Sequence, residues 1–189
     1  MGDLSDKITE ATEHGGESKI NARVAIWVAL VATFMALCDV KDGNVTQAMS
    51  QAQAHSIDAW SYFQAKSTKE AVLQNSLDML KAQKNPVFDE LIKKDEEQVV
   101  RYEQEKAEIK KQAEGYQKEY DDINVFDDQF DMTDALLSIA IAIFGITALT
   151  QKRWLFYFGA SISVLGLILG ATAFMKISLH SDFISKILG

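Results

Sequence analysis

Proline is almost missing from this sequence: Pro86 is the only one in 189 residues. Because proline removes a backbone donor and clashes with the preceding turn, its scarcity permits long uninterrupted helices. Cysteine is as rare, and Cys38 has no second thiol in the chain with which to close a disulfide. The histidines, His14, His55 and His180, are scattered over separate segments, so spacing suggests neither a zinc cluster nor a Cys-His nucleophile. No Gly-rich phosphate loop occurs, and Gly15-Gly16 reads as a break between a weakly amphipathic N-terminal segment (1–19) and the first apolar run. With no nucleophile, base or ligand cluster, the sequence predicts a protein that is not an enzyme and holds no cofactor and no metal.

Charge is also missing where it would matter most. The apolar runs 24–38, 135–150 and 154–175 contain no Asp, Glu, Lys, Arg or His. Pumps and coupled transporters need such groups at depth as proton relays or ion ligands, which argues against active transport. The charge is concentrated instead between Lys41 and Asp134, where 12 Lys and Arg stand against 20 Asp and Glu and account for the whole formal net charge of -8. An acidic module of this kind excludes nucleic acid as a partner, because phosphate binding needs clustered Lys and Arg.

The apolar runs predict an all-α integral membrane protein with about three transmembrane helices, at 20–40, 132–150 and 154–175. The first run, Val24 to Cys38, covers only roughly 22 Å of a hydrocarbon core about 30 Å thick, but Ile20, Ala22 and Val40 extend it and Arg23 can snorkel. Met35-Ala36-Leu37-Cys38 matches a lipoprotein cleavage box only in part, since bulky Leu37 stands where a small residue is required, so the run reads as an uncleaved signal anchor. Only Gln151, Lys152 and Arg153 separate the second and third spans, which forces an antiparallel pair, and the two positive charges put that turn in the cytoplasm. The positive-inside rule then predicts a cytoplasmic N-terminus and a periplasmic central module.

Gly159, Ser163, Gly166, Gly170 and Ala173 recur at 4 and 3 spacing along one face of the third span, and Ser138, Ala142 and Gly145 do likewise in the second. Small faces let helix backbones approach closely, either to close the hairpin within the chain or to join two copies.

The central segment (41–131) predicts a long antiparallel coiled-coil hairpin outside the membrane, with arms at about 44–84 and 87–123 separated by Asn85-Pro86. In the returning arm Phe88, Ile92, Asp95, Val99, Tyr102, Lys106, Ile109, Ala113, Tyr116, Tyr120 and Ile123 keep strict 4,3 spacing, and nine of these eleven are apolar. The outgoing arm offers Met49, Ala52, Ser56, Ala59 and Phe63, then Leu73, Leu77 and Leu80. Ile57, Trp60, Tyr62 and Val72 fall off that seam, and neighbouring subunits are expected to cover them.

Two polar groupings stand out. Asn44, Gln47, Gln51, His55 and Asp58 share one helix face, either a solvated face or the lining of a polar vestibule. The aspartates from Asp121 to Asp134, with Asp127, Asp128, Asp131 and Asp134 nearest the second span, read as topology-setting acids or as groups that attract cations at the membrane surface. The tail, residues 176–189, is amphipathic and suits the interface.

Between Ile20 and Lys69 an apolar span ending near Cys38 is followed by Lys41, Gly43-Asn44, Gln47-Ala48, Gln51-Ala52, Trp60 and Gln64-Ala65-Lys66-Ser67. In these residues, and in the order of a charged helical middle and an apolar pair of helices, the chain resembles the bacterial membrane-protein family of domain of unknown function 4337. The resemblance implies a bacterial inner-membrane location and supplies no activity and no functional residues. The Asp-rich run before the second span stands outside the family pattern. The expected role is a homo-oligomeric structural scaffold or interaction protein whose partners are membrane lipid, its own copies and an unknown protein. The competing expectation is an oligomeric passive ion channel with an acidic vestibule.

Overall fold

The computed structural model describes the backbone of residues 2–177 and the side chains of residues 19–177. Three helices make up almost all of it: α1 (Gly2–Ala82), α2 (Asp89–Thr150) and α3 (Arg153–Phe174). Gly15-Gly16 does not break α1, contrary to the sequence reading. Each glycine costs about 1 kcal/mol relative to alanine in a helix, but both keep the N–H that proline would remove.

The breaks fall where the backbone chemistry demands them. Leu80 and Lys81 carbonyls close the last turn of α1 on the Gln83 and Lys84 amides, and Lys84 then takes a left-handed φ of 49°. Asn85 is extended, as a residue before proline must be, and its side chain accepts from the Val87 amide at 3.1 Å to start a 3-10 turn at Pro86–Phe88. Between α2 and α3 only Gln151 and Lys152 are non-helical, and Gln151 reverses the chain with a φ of 55°. Stretches in each of the three helices are long and apolar enough to cross a membrane.

The chain divides into two units: residues to Thr46 with those from Asn124 onward, and Gln47–Ile123. In the first, α2 buries Phe130, Thr133, Leu137, Ala140, Phe144 and Thr147 at alternating 3 and 4 spacing. α1 contributes Val24, Val31 and Cys38, and α3 contributes its small residues Gly159, Ser163, Gly166, Gly170 and Ala173. At two of these places any side chain would have to displace a neighbour. A Cβ on Gly166 would lie 2.8 Å from Leu137 Cδ2, and one on Gly170 would lie 2.7 Å from Phe34 Cε1 and 2.9 Å from Thr133 Cγ2. The stripe on α3 therefore closes the bundle within the chain. The second stripe is open: Ser138, Ala142 and Gly145 are exposed on α2, with nothing within 4 Å of a Cβ at Gly145. Several polar groups in the bundle find partners, with Trp27 Nε1 donating to Ser163 Oγ at 2.8 Å and Thr133 and Thr147 donating to their own helix at Gln129 and Ile143 carbonyls, whereas Gln129 Oε1 is buried without one.

In the second unit α1 and α2 run antiparallel, since partners that rise along α1 descend along α2. His55 stacks on Tyr116, Ser56 donates to the Ala113 carbonyl, Lys66 pairs with Glu105, and Lys81 pairs with Glu96 at 2.7 Å. Met49, Ala52, Ser56 and Leu77 are buried on α1, Ile109 and Ala113 on α2. Ile92, Val99, Tyr102, Tyr116 and Tyr120 are half-buried along the same face of α2, and Phe88 is half-buried at the end of the 3-10 turn before it. Lys66 lies over the rings of Tyr62 and Tyr102, 5.4 and 4.9 Å from their centroids, and its bond to Glu105 holds its ammonium above its ordinary pKa.

Candidate functional site

The densest chemistry in the first unit is a group of carboxylates carried by α1 and α2. Asp42 occupies the inward face of α1, between Cys38, which is buried, and Val45, which packs on the same cluster. The opposing turns of α2 present Asp127 and Asp131. Thr46 Oγ1 donates to Asp127 Oδ1 at 3.0 Å, and Asn124 Nδ2 donates to Asp128 Oδ2 at 3.4 Å. Among the described residues no Lys or Arg ion-pairs with Asp39, Asp42, Asp127, Asp128, Asp131 or Asp134.

An acid placed among acids and partly withdrawn from water holds its proton to a higher pH than usual. Burial pushes Asp42 up to about 6, with the negative charges of Asp127, Asp131 and Asp39 and a hydrogen bond with Asp127 adding to it. Asp42 Oδ1 is buried and no donor reaches it, so a proton on the pair supplies the donor that two ionised carboxylates lack. Asp131 is raised in the same direction, by burial first and then by Asp127, Asp128 and Asp134. Below about pH 6 the arrangement is a carboxyl–carboxylate contact across a helix pair. Among the described residues no three His, Cys, Asp or Glu side chains converge so as to hold a metal ion.

The other predicted residues are distributed differently. Asn44, Gln47, Gln51, His55 and Asp58 are all exposed. Asn44 donates to its own helix at the Val40 carbonyl, and His55 lies against Tyr116, with ring centroids 5.1 Å apart. The amphipathic tail lies, except for Lys176 and Ile177, outside the described residues. Asp42 and Thr46 are not among the residues that sequence reasoning singles out. A signal for them exists: Val28, Met35, Asp42 and Met49 repeat every seven residues, so Asp42 stands on an otherwise apolar stripe.

A family model described as Domain of unknown function (DUF4337) matches residues 20–176. The chain belongs to that family. The DUF4337 match begins just before the first apolar run and ends beyond the end of α3, so the Asp-rich run at 121–134 lies within its bounds. No curated protein and no solved structure matches the chain.

Proposed function

We propose that this DUF4337 protein is a non-enzymatic, homo-oligomeric scaffold or interaction protein of the bacterial inner membrane. In this reading residues 20–40 form an uncleaved signal anchor with the N-terminus in the cytoplasm, and residues 41–131 form a periplasmic coiled-coil hairpin. The observation that carries it is the apolar surface left on the Gln47–Ile123 unit. Ile57, Tyr62, Val72 and Val100 are each more than half exposed there, and Trp60 is 37% exposed. Two helices cannot cover these residues from within, and burial of such side chains stabilises assembly by about 1.5–3 kcal/mol each when complete. A groove of about 420 Å³ beside Val72, Leu73, Gln98 and Tyr102 gives the same surface relief. The exposed Ser138, Ala142 and Gly145 face supports close contact between copies at the level of the spans.

Native mass spectrometry of the full chain in mild detergent tests this. A discrete oligomer is expected, reduced in order when Val72 and Tyr62 are replaced by Ser; a monomer refutes it. The Asp42–Asp127–Asp131 grouping favours a second reading, a passive cation channel with an acidic vestibule. Conductance in planar bilayers that falls with Asp42→Asn, Asp131→Asn and Asp134→Asn supports that reading, and electrical silence across potentials and salts removes it.

A further inference from the structure

At the opposite end of the first unit from the carboxylates, two arginines far apart in sequence line one notch. Arg23 on α1 and Arg153 at the start of α3 share it with Ile20, Phe156 and Tyr157. We propose that this notch binds the phosphate of an anionic phospholipid.

Four observations lead there. The first is uncompensated charge, since among the described residues no carboxylate pairs with either arginine. The second is rigidity. Gln151 Nε2 donates to Asn21 Oδ1 at 2.7 Å and to the Ala148 carbonyl, which ties the α2–α3 turn to α1 and sets Arg153 beside Arg23. Phe156, between Phe144 and Tyr157 at centroid distances of 5.8 and 5.7 Å, fixes the far wall. The third is depth: Arg23 directly precedes the apolar run that starts at Val24, and Arg153 directly precedes Trp154 in α3. Trp154 and Tyr157, each 63% exposed, are the residues that sit at headgroup level. The fourth is the first turn of α3, whose amides carry positive partial charge and which no side chain caps.

Size decides how the ligand sits. The notch holds about 20 Å³, room for one oxygen-sized group and not for a headgroup. One phosphate oxygen enters between the guanidiniums, which bind phosphate through paired N–H donors, and the acyl chains lie along the exposed apolar faces of α1 and α3. Orientation of the spans requires only that positive charge be present at this end. It does not require two arginines to line one notch, and Lys152, which is next to Arg153 but outside the notch lining, supplies charge without joining the site.

The inference rests on the chain crossing a membrane, not on its oligomeric state. Its test is native mass spectrometry of the full chain in mild detergent with equal amounts of phosphatidylglycerol and phosphatidylcholine. Preferential retention of phosphatidylglycerol is expected, lowered about fivefold by Arg23→Gln or Arg153→Gln and unchanged by Lys152→Gln. Equal retention of the two lipids overturns the proposal, as does an equal loss with Lys152→Gln, which marks diffuse charge. Displacement of phosphatidylglycerol by excess inorganic phosphate also overturns it, in favour of a free anion. Alkaline carbonate extraction of membranes is run beside it. Protein released by carbonate means the membrane reading has failed; protein retained without lipid preference means only the site has failed.

Discussion

Gly170→Ala is the smallest change that should visibly weaken the bundle. The new Cβ would lie 2.7 Å from Phe34 Cε1, 2.9 Å from Thr133 Cγ2 and 3.1 Å from Phe34 Cζ, where carbon atoms at rest keep about 3.5–4.0 Å. Something must move by about 1 Å to restore that separation. Phe34 has little freedom to do so, because its ring meets that of Phe174 at a centroid distance of 6.1 Å and packs on Cys38, Phe130 and Ala173. Thr133 is fully buried and bonded to the Gln129 carbonyl. Overpacking of this kind costs about 1–3 kcal/mol, and the two blocked neighbours place this case near 2. For a chain of this size that lowers Tm by about 4–8 °C. The assay is thermal unfolding in mild detergent followed by tryptophan fluorescence, with Gly145→Ala as the matched control, since a Cβ there meets nothing within 4 Å. Phe34→Leu combined with Gly170→Ala should recover part of the loss by opening the space. A Gly170→Ala protein that melts within about 1 °C of the parent would refute the packing of α3 against Phe34 and Thr133.

Two more outcomes come from the same geometry. Trp27→Phe and Ser163→Ala each remove the 2.8 Å indole bond, and a double-mutant cycle on unfolding in detergent should give a coupling near 0.6 kcal/mol and below about 1.7 kcal/mol; zero coupling would mean that the bond is absent. Asp42 should make stability fall as pH rises. Its folded value of about 6 lies above its ordinary 3.8, so between these the folded chain holds a proton that the unfolded chain has lost, and stability drops across that window and levels off above it. Asp42→Asn should flatten the Tm profile from about pH 4 to 6 and raise Tm at neutral pH, whereas an unchanged slope would assign the pH response elsewhere.

Much of the fold is visible in hydrophobic periodicity, and what escapes does so for identifiable reasons. The 4,3 repeat from Phe88 to Ile123 needs no partner to be seen, and the apolar runs alone mark three stretches long and apolar enough to cross a membrane. Continuity is harder to see. Nothing in residues 39–44 distinguishes a helix that stops from one that continues, because Asp39, Asp42 and Gly43 look like a loop until the helix ladder is traced through them. The aspartates are legible as a cluster but not as a contact. Extending the 4,3 repeat past Ile123 reaches Asp127 and Phe130, yet charge at such a position is ordinarily read as the end of a seam. Pairings such as Asn21 with Gln151 depend on how two helices meet, and no local pattern encodes that.

The bond between Trp27 and Ser163 joins residues 136 positions apart. At a synthesis rate of about 5–20 residues per second, Trp27 is made about 7–27 s before Ser163 exists to receive its bond. For most of that interval Val24 and Trp27 lack the residues they pack against, because Ala140 and Phe144 of α2, which join Val24 in one cluster, are made only shortly before α3. This face of α1 must therefore stay unpacked long enough for translation to deliver its mates. Its assembly is a waiting problem before it is a packing problem.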